Sequence, residues 1–200
     1  SAILWATSAR GELQAGTEFT VSESVAFDGN IGWTHEDVTY RLACAVNLVE
    51  AGNGDLLVTW LSGSDQEPAP DNCVLMARSI DGGSTWSQPH VLLPAGQHAA
   101  HVTNLYRTED GELIALGAYW PAEDEYTTWY YFRMRSRDDG HTWTQPQPFT
   151  LLGNRASLGR RIRLNDGRWL FPGTFFQKRE APLHGSIQAI IKAGDEAQVR

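Results

Sequence analysis

Two aspartates, Asp81 and Asp138, stand among hydroxyl side chains in stretches that are nearly identical. Both stretches read Ser-x-Asp-x-Gly-x-Thr-Trp, and they begin at Ser79 and, 57 residues later, at Ser136. A carboxylate beside hydroxyl groups is a combination that can hold Ca²⁺, but the spacing here does not match an EF-hand loop. An aspartate can instead accept hydrogen bonds from the backbone N–H groups of a tight turn. We therefore predict structural turns, with neither a metal nor a cofactor.

The glycine and tryptophan of each stretch fit this structural interpretation. Glycine allows the positive φ of a tight turn, and a tryptophan ring can wedge between packed sheets. The predicted turns, named box turns below, are built on Asp81, Gly83 and Trp86 in the first stretch and on Asp138, Gly140 and Trp143 in the second. Near position 193, where a third copy is expected, only Asp195 of the pattern survives.

A longer repeat surrounds the box turns. A glycine followed by an apolar strand begins at Gly54, Gly111 and Gly167, with offsets of 57 and 56 residues. The segments around these points are rich in Val, Leu, Ile and aromatic residues, with Gly, Asp, Asn and Pro between them, which is typical of short strands and turns. Four antiparallel strands in such a unit form one blade of a β-propeller. The sequence therefore predicts an all-β propeller of four-stranded antiparallel blades.

The order of the strands decides which loops can carry chemistry. If each innermost strand starts at the ligand face, the box turns lie on the opposite face, and the loop after each second strand returns to the ligand face. The first of these loops, residues 62–72, contains Asp65 and Glu67. Their carboxyl groups are of the kind that can protonate a leaving oxygen and then deprotonate water.

Three further residues are expected at the ligand face. His101 precedes or begins the second inner strand, where it is a candidate ligand contact. Arg160 and Arg161 are expected at the start of the third inner strand. Because neighbours on a strand alternate faces, one of the two arginines is expected to point into the central funnel and to meet an anionic ligand.

Charge and composition exclude several classes of protein. The formal net charge is −8, which argues against a nucleic-acid or anionic-membrane binder, because both need a basic face. No apolar run reaches the roughly 18 residues of a membrane span. Cys44 and Cys73 have no metal-ligand spacing and are expected to be unpaired thiols. The compartment cannot be read from them, and a secreted or periplasmic location is the expectation adopted.

At the residues that precede the first blade, the chain resembles the sialidase superfamily, also called the Asp-box or BNR-repeat family. That family carries a stretch like V-F-x-x-G-x-x-G-x-x-T-Y-R-I-P, and this chain has Val25-Ala26-Phe27-Asp28-Gly29-Asn30-Ile31-Gly32, followed later by Thr39-Tyr40-Arg41-Leu42-Ala43. The resemblance implies that Arg41 is the first of three arginines that clamp a substrate carboxylate. A planar guanidinium binds a carboxylate bidentately and keeps its charge.

The resemblance also implies an aspartate acid/base in the 62–72 loop. Asp65 lies 24 residues after Arg41, as that family's aspartate does, whereas alignment from the following box turn favours Glu67. The two candidates stay open at this point. The family's nucleophile, a tyrosine activated by a glutamate, and its other two arginines belong to later blades, so none of the tyrosines here is assigned that role.

The resemblance further implies a six-bladed ring, of which this chain holds about three blades. We expect a lead-in segment over residues 1–35 and the first half of the propeller over 36–200, with blades at about 41–93, 101–151 and 158–200, the last incomplete. The rest of the propeller, from a further chain segment or another copy, is then a partner. The implied function is release of a terminal acidic sugar, sialic acid or similar, from glycans.

Two other functions compete with this hypothesis. The Leu42-Ala43 pair replaces the usual Ile-Pro, and the 62–72 loop lacks the arginine often found there in the family. These departures favour a propeller glycosidase or polysaccharide lyase that acts on another, uronic, sugar. A non-catalytic carbohydrate-binding propeller is the third hypothesis.

Overall fold

In the computed structural model, residues 3–6, 23–96, 98–121, 129–148, 156–158, 161–175, 185–191 and 198–199 are described. Within these ranges every regular element is a β-strand, and all strand pairs are antiparallel. No helix in the described part of the chain has the length and hydropathy of a membrane span. The prediction of an all-β protein is confirmed.

The chain begins with two small strand pairs. Strands β1 (Ile3–Ala6) and β2 (Ser24–Asp28) pair with each other, and a tight hairpin follows, made of β3 (Trp33–His35) and β4 (Val38–Tyr40). Phe27 on β2 packs its ring against Trp60, with 5.2 Å between the ring centroids. The lead-in strand β2 therefore covers one face of the sheet that comes next.

The first sheet contains four strands in sequence order: β5 (Cys44–Glu50), β6 (Leu56–Ser62), β7 (Cys73–Ser79) and β8 (His90–Leu93). All seven residues of β6 are buried. Because side chains alternate along a strand, Val58 and Trp60 belong to one face of the sheet and Leu57 to the other. Both faces of β6 are thus covered, by β2 on one side and by the second sheet on the other.

The second sheet repeats this arrangement: β9 (His98–Arg107), β10 (Leu113–Pro121), β11 (Tyr130–Ser136) and β12 (Gln147–Pro148). The register is also repeated, since Leu56 pairs with Ser79 in the first sheet and Leu113 pairs with Ser136 in the second. The predicted four-stranded antiparallel units are confirmed for these two sheets.

The third sheet contains β13 (Ala156–Leu158), β14 (Ile162–Arg163), β15 (Trp169–Phe175), β16 (Gly185–Ile191) and β17 (Gln198–Val199). Both β13 and β14 pair with β15, so the inner edge of this sheet consists of two short strands. The expectation that Arg161 lies at the start of the third inner strand is wrong, because that edge already begins at Ala156. Arg160 lies outside the described residues.

The main core lies between the first and second sheets. Leu57, Val74 and Met76 from the first sheet meet Phe132 and Met134 from the second, and all five are buried. Burial of each such side chain stabilises the fold by about 1.5–3 kcal/mol. This contact is what fixes the two sheets relative to each other.

Each sheet has two ends with different loops. The box end carries the turn at 51–55 and the box turns, because β6 starts where β7 finishes. The rim end carries Arg41 and the 62–72 loop, since Cys44 pairs with Leu61 and Ser62 pairs with Cys73. These two names are kept below.

Candidate functional site

Arg41 lies at the rim end, between β4 and β5. The backbone N–H groups of Arg41 and Leu42 both donate to the carbonyl of Gly63, at 2.9 and 3.1 Å. The side chain is exposed, and it forms no hydrogen bond or ion pair with a described residue. The backbone of Arg41 is therefore fixed beside the 62–72 loop, while its guanidinium keeps its hydrogen-bonding capacity for a ligand.

The 62–72 loop is held by its own side chains. Buried Asn72 accepts a hydrogen bond from Ala69 N at 2.8 Å and donates to Gln66 O at 3.0 Å. Ser64 N donates to the Asp71 carboxylate at 2.8 Å. The Asn72 carbonyl also accepts from Ala100 N of the second sheet, at 3.1 Å. These bonds give the loop a defined shape at the junction of two sheets.

Within this loop the structure distinguishes Glu67 from Asp65. The Cys44 thiol donates to Glu67 Oε2 at 3.1 Å. Glu67 therefore folds back onto β5, whose first residue, Cys44, lies three residues after Arg41. Burial, followed by the hydrogen bond to Glu67, raises the pKa of Cys44 to about 12. The thiol is therefore neutral and a donor. Asp65 and Glu67 are both exposed, but Asp65 makes no such contact with a described residue.

His101 belongs to an aromatic cluster rather than to an open surface. Its ring packs edge-on against Trp120 and Trp129, with centroids 5.1 and 6.3 Å away. Burial lowers the pKa of His101 to about 4. At neutral pH the ring is uncharged, so His101 cannot attract an anion as a cation. Its buried Nδ1 atom has no hydrogen-bond partner among the described residues.

Arg161 lies near the box end, far along the inner strands from Arg41. Its guanidinium stacks over Tyr106 at 4.1 Å from the ring centroid and donates to the carbonyl of Arg107 at 2.6 Å. Arg107 is the last residue of β9 and itself donates to the carbonyl of Ala51 at 2.7 Å. A cavity of about 420 Å³ opens here, lined by parts of β5 and β9 together with Arg161. The structure thus does not bring Arg161 together with Arg41.

The box turns have the hydrogen bonds of a structural turn. Asp81 accepts from Thr85 N at 2.9 Å, from Thr85 Oγ1 at 2.6 Å and from Ser79 Oγ at 2.7 Å. Asp138 makes the same three bonds, at the same distances, to Thr142 and Ser136.

The same hydrogen bonds explain the acidity of both aspartates. Those from Thr85, its hydroxyl first, lower the pKa of Asp81 to about 2. The equivalent bonds from Thr142 hold the pKa of Asp138 well below its usual range. Among the described residues, no group of three His, Cys, Asp or Glu side chains is arranged to hold a metal ion.

The glycines and tryptophans of the two turns have different surroundings. Gly83 and Gly140 have positive φ values of 92° and 80°. A Cβ on Gly140 would also collide with Leu57 of the first sheet. Trp86 Nε1 donates to Ser24 Oγ of β2 at 3.0 Å. Trp143 packs against the core between the two sheets.

Two features of the rim were missed by sequence reasoning. One is the thiol of Cys44, which looked like an isolated cysteine because the contact with Glu67 spans 23 residues. The other is the β3–β4 hairpin next to Arg41. Its alternating Trp-Thr-His and Val-Thr-Tyr segments are a strand signal, but the turn between them, Glu36-Asp37, lacks the glycine that usually marks such a turn.

A known family of repeat proteins matches the part of the chain that contains the 57-residue repeat. Residues 54–200 match the BNR repeat-like domain. The chain belongs to the BNR repeat-like family. No curated protein sequence matches it. The resemblance of this BNR repeat-like chain to the sialidase and BNR-repeat superfamily is thus confirmed.

Three solved structures show the same fold at low identity. The Hadza microbial sialidase Hz136 has a TM-score of 0.65 and 21% identity, over 92% of this chain and 42% of its own. The NanB sialidase of Streptococcus pneumoniae has a TM-score of 0.57 and 10% identity, over 78% and 43%. An ulvan lyase, a polysaccharide lyase bound to a GlcA-Rha3S unit, has a TM-score of 0.52 and 11% identity, over 81% and 44%. This BNR repeat-like chain therefore spans less than half the length of each.

Proposed function

We propose that this chain forms one side of the active site of a sialidase-like glycoside hydrolase that removes a terminal acidic sugar from glycans. In this proposal the three sheets are successive blades of a six-bladed propeller, and the ligand face is the rim end. The observation that carries the proposal is the placement of Arg41. It is an exposed cation without a protein partner among the described residues, and its backbone is anchored to the loop that holds the candidate acid/base.

The proposed role of Arg41 is to bind the carboxylate of the acidic sugar. A guanidinium offers two parallel N–H groups to a carboxylate, and charge-assisted bonds of this kind are stronger than neutral ones. The remaining cations of the clamp, and the nucleophile, are proposed to come from other blades of the complete protein.

Glu67 is the preferred acid/base in this proposal. An acid/base must be held at a fixed position beside the bond that breaks. The Cys44 thiol at 3.1 Å fixes one oxygen of Glu67 and leaves the other available. Asp65 remains the second candidate, because it lies in the same loop.

The test is turnover by the full chain of fluorogenic glycosides of sialic acid and of a uronic acid. We expect release from the sialoside, and a fall in kcat/KM of at least roughly 100-fold in Arg41→Ala, the loss expected for two charge-assisted hydrogen bonds. Arg137→Ala is the matched control, because this exposed arginine lies at the box end. Full activity in Arg41→Ala would overturn the proposed role of Arg41.

A second candidate function is cleavage of a uronic-acid polysaccharide. The absence of arginine in the 62–72 loop and the fold shared with ulvan lyase favour it. Turnover of the uronide but not of the sialoside would support this candidate over the first. So would the formation, from a uronic-acid polysaccharide, of an unsaturated uronate detected by its ultraviolet absorbance.

A further inference from the structure

We propose that the β3–β4 hairpin is a second subsite, which binds the neutral sugar on the leaving-group side of the glycosidic bond. This inference rests on the proposed function, because it places the acidic sugar at Arg41. The hairpin contains residues 33–40 and ends directly at Arg41.

The base of the hairpin is fixed. Trp33 pairs with Tyr40 across the two strands, and their rings lie 5.4 Å apart. Both pack against the core on the β2 face of the first sheet. Gly32 lies so close to Tyr40 O and Arg41 Cγ that a Cβ there would be 2.9 and 3.3 Å from them. The base of the hairpin and Arg41 are therefore packed closely together.

The outer part of the hairpin presents a flat surface. The His35 ring stacks on Trp33 with 5.0 Å between centroids and 8° between planes, and its side chain remains 49% exposed. Val38 pairs with His35, lies on the same face of the hairpin and is 42% exposed. The exposed His35 ring beside the aliphatic carbon of Val38 is suited to the C–H face of a sugar, which is apolar while its edge is polar.

The distance from Arg41 suits an adjacent sugar. His35 lies two residues from Trp33, or about 7 Å along the strand, and Trp33 pairs with the residue before Arg41. The 62–72 loop, whose carboxylate would protonate the leaving oxygen, is bonded to the backbone of Arg41 and Leu42. A sugar linked through that oxygen would thus reach the hairpin.

The charge of the hairpin tip indicates a neutral occupant. Glu36 and Asp37 are both exposed, and Glu36 is paired only loosely with His35, at 3.9 Å. Two carboxylates repel a second acidic sugar. Both residues have positive φ, 49° and 65°, as the two central residues of a tight hairpin turn require.

The experiment compares two substrates in the full chain. One is a glycosyl fluoride, in which the acidic sugar carries only a small leaving group, and the other is a trisaccharide in which the same acidic sugar is linked to lactose. In His35→Ala we expect KM for the trisaccharide to rise about fivefold, with kcat/KM for the glycosyl fluoride changed less than twofold. The matched control is Thr34→Ala, on the opposite face, where Thr34 Oγ1 contacts Thr39 Oγ1 at 3.0 Å; it should affect neither substrate.

A second arm tests the charge. Replacing Glu36 and Asp37 together by lysine should raise kcat/KM severalfold for a substrate with two consecutive acidic sugars, and should leave the lactose-linked substrate nearly unchanged. Equal losses on both substrates in His35→Ala, or no loss on either, would overturn the subsite. So would an unchanged preference in the double-lysine variant.

Failure of the proposed function gives a different result. In that case the wild-type protein releases no acidic sugar from either substrate. The subsite is then tested by saturation-transfer NMR with lactose. A lactose signal in the wild type that is lost in His35→Ala and kept in Thr34→Ala supports the subsite. No lactose signal in the wild type overturns the subsite.

Discussion

At the box end the first and second sheets share the same hydrogen bonds on residues 57 positions apart, whereas the rim-end residues that the structure describes differ between the two sheets. Asp81 and Asp138 hold identical turns. Beside these turns, Asp55 pairs with Arg78 and, 57 residues later, Glu112 pairs with Arg135. At the rim end, the first sheet presents Arg41 and a carboxylate-bearing loop, and the second presents a neutral histidine among tryptophans.

This difference indicates that the box end of the repeated unit stabilises the fold, whereas the rim end is free to vary for ligand binding. At the box end the polar side chains form hydrogen bonds and ion pairs with neighbouring residues of the protein, so they are not available to a ligand. The rim end leaves polar groups exposed, and these differ from one sheet to the next. Substitutions at the two ends should therefore have opposite signatures: loss of activity at constant stability at the rim, and loss of stability with little effect on chemistry at the box turns.

The largest expected effect is at Glu67. Glu67→Gln removes the proposed acid/base but keeps the size of the side chain, so kcat should fall by about 10²–10⁴-fold while Tm changes little. Asp65→Asn is the matched control and should change kcat less than about twofold. Steady-state kinetics and thermal denaturation of both variants measure this. A large loss in Asp65→Asn alone would reverse the assignment.

At the box end, Asp138→Ala should lower Tm by roughly 5 °C. It leaves two donors of Thr142 and one of Ser136 without their acceptor. KM and kcat of the protein that remains folded should match the wild type. An unchanged Tm together with a lost activity would contradict the separation of the two ends.

A smaller effect is expected at Cys44, which holds Glu67 through its thiol. Cys44→Ala should lower kcat by about three- to tenfold, since a hydrogen bond to a charged group contributes about 1.5 kcal/mol or somewhat less when part-exposed. Cys44→Ser keeps a donor and should restore most of the activity. If alanine and serine behave alike, the thiol acts through packing and not by positioning Glu67.

The last effect, which is absent at neutral pH, is a pH dependence of stability due to His101. Its pKa is about 4 in the folded protein, below the ordinary value of 6.5. The unfolded state therefore binds more protons between these values, and the stability contributed by neutral His101 is lost as pH falls from about 6.5 to 4. Urea denaturation at several pH values should show a shallower slope in this window for His101→Phe. An equal slope would show that other groups dominate.

The repeat made most of the fold predictable, and the site much less so. The offset between Ser79 and Ser136 predicts the strand register that β6–β7 and β10–β11 share. The two-part inner edge of the third sheet, and with it the position of Arg161, has no local signal, because Arg160 and Arg161 read as the start of one continuous strand. The sequence offers Glu67 and Asp65 alike, because the contact on which the proposal of Glu67 rests comes from Cys44 on another strand.

Two hydrogen bonds near the box end join the second box turn to residues far earlier in the chain. The Asp139 side chain accepts from Gly52 N at 2.7 Å, and its carbonyl accepts from Arg78 at 2.7 Å. These partners precede it by 87 and 61 residues. During synthesis, the surface on which the second box turn rests is therefore already outside the ribosome when that turn emerges. The first sheet can therefore offer its hydrogen-bond donors to the second box turn as soon as that turn emerges.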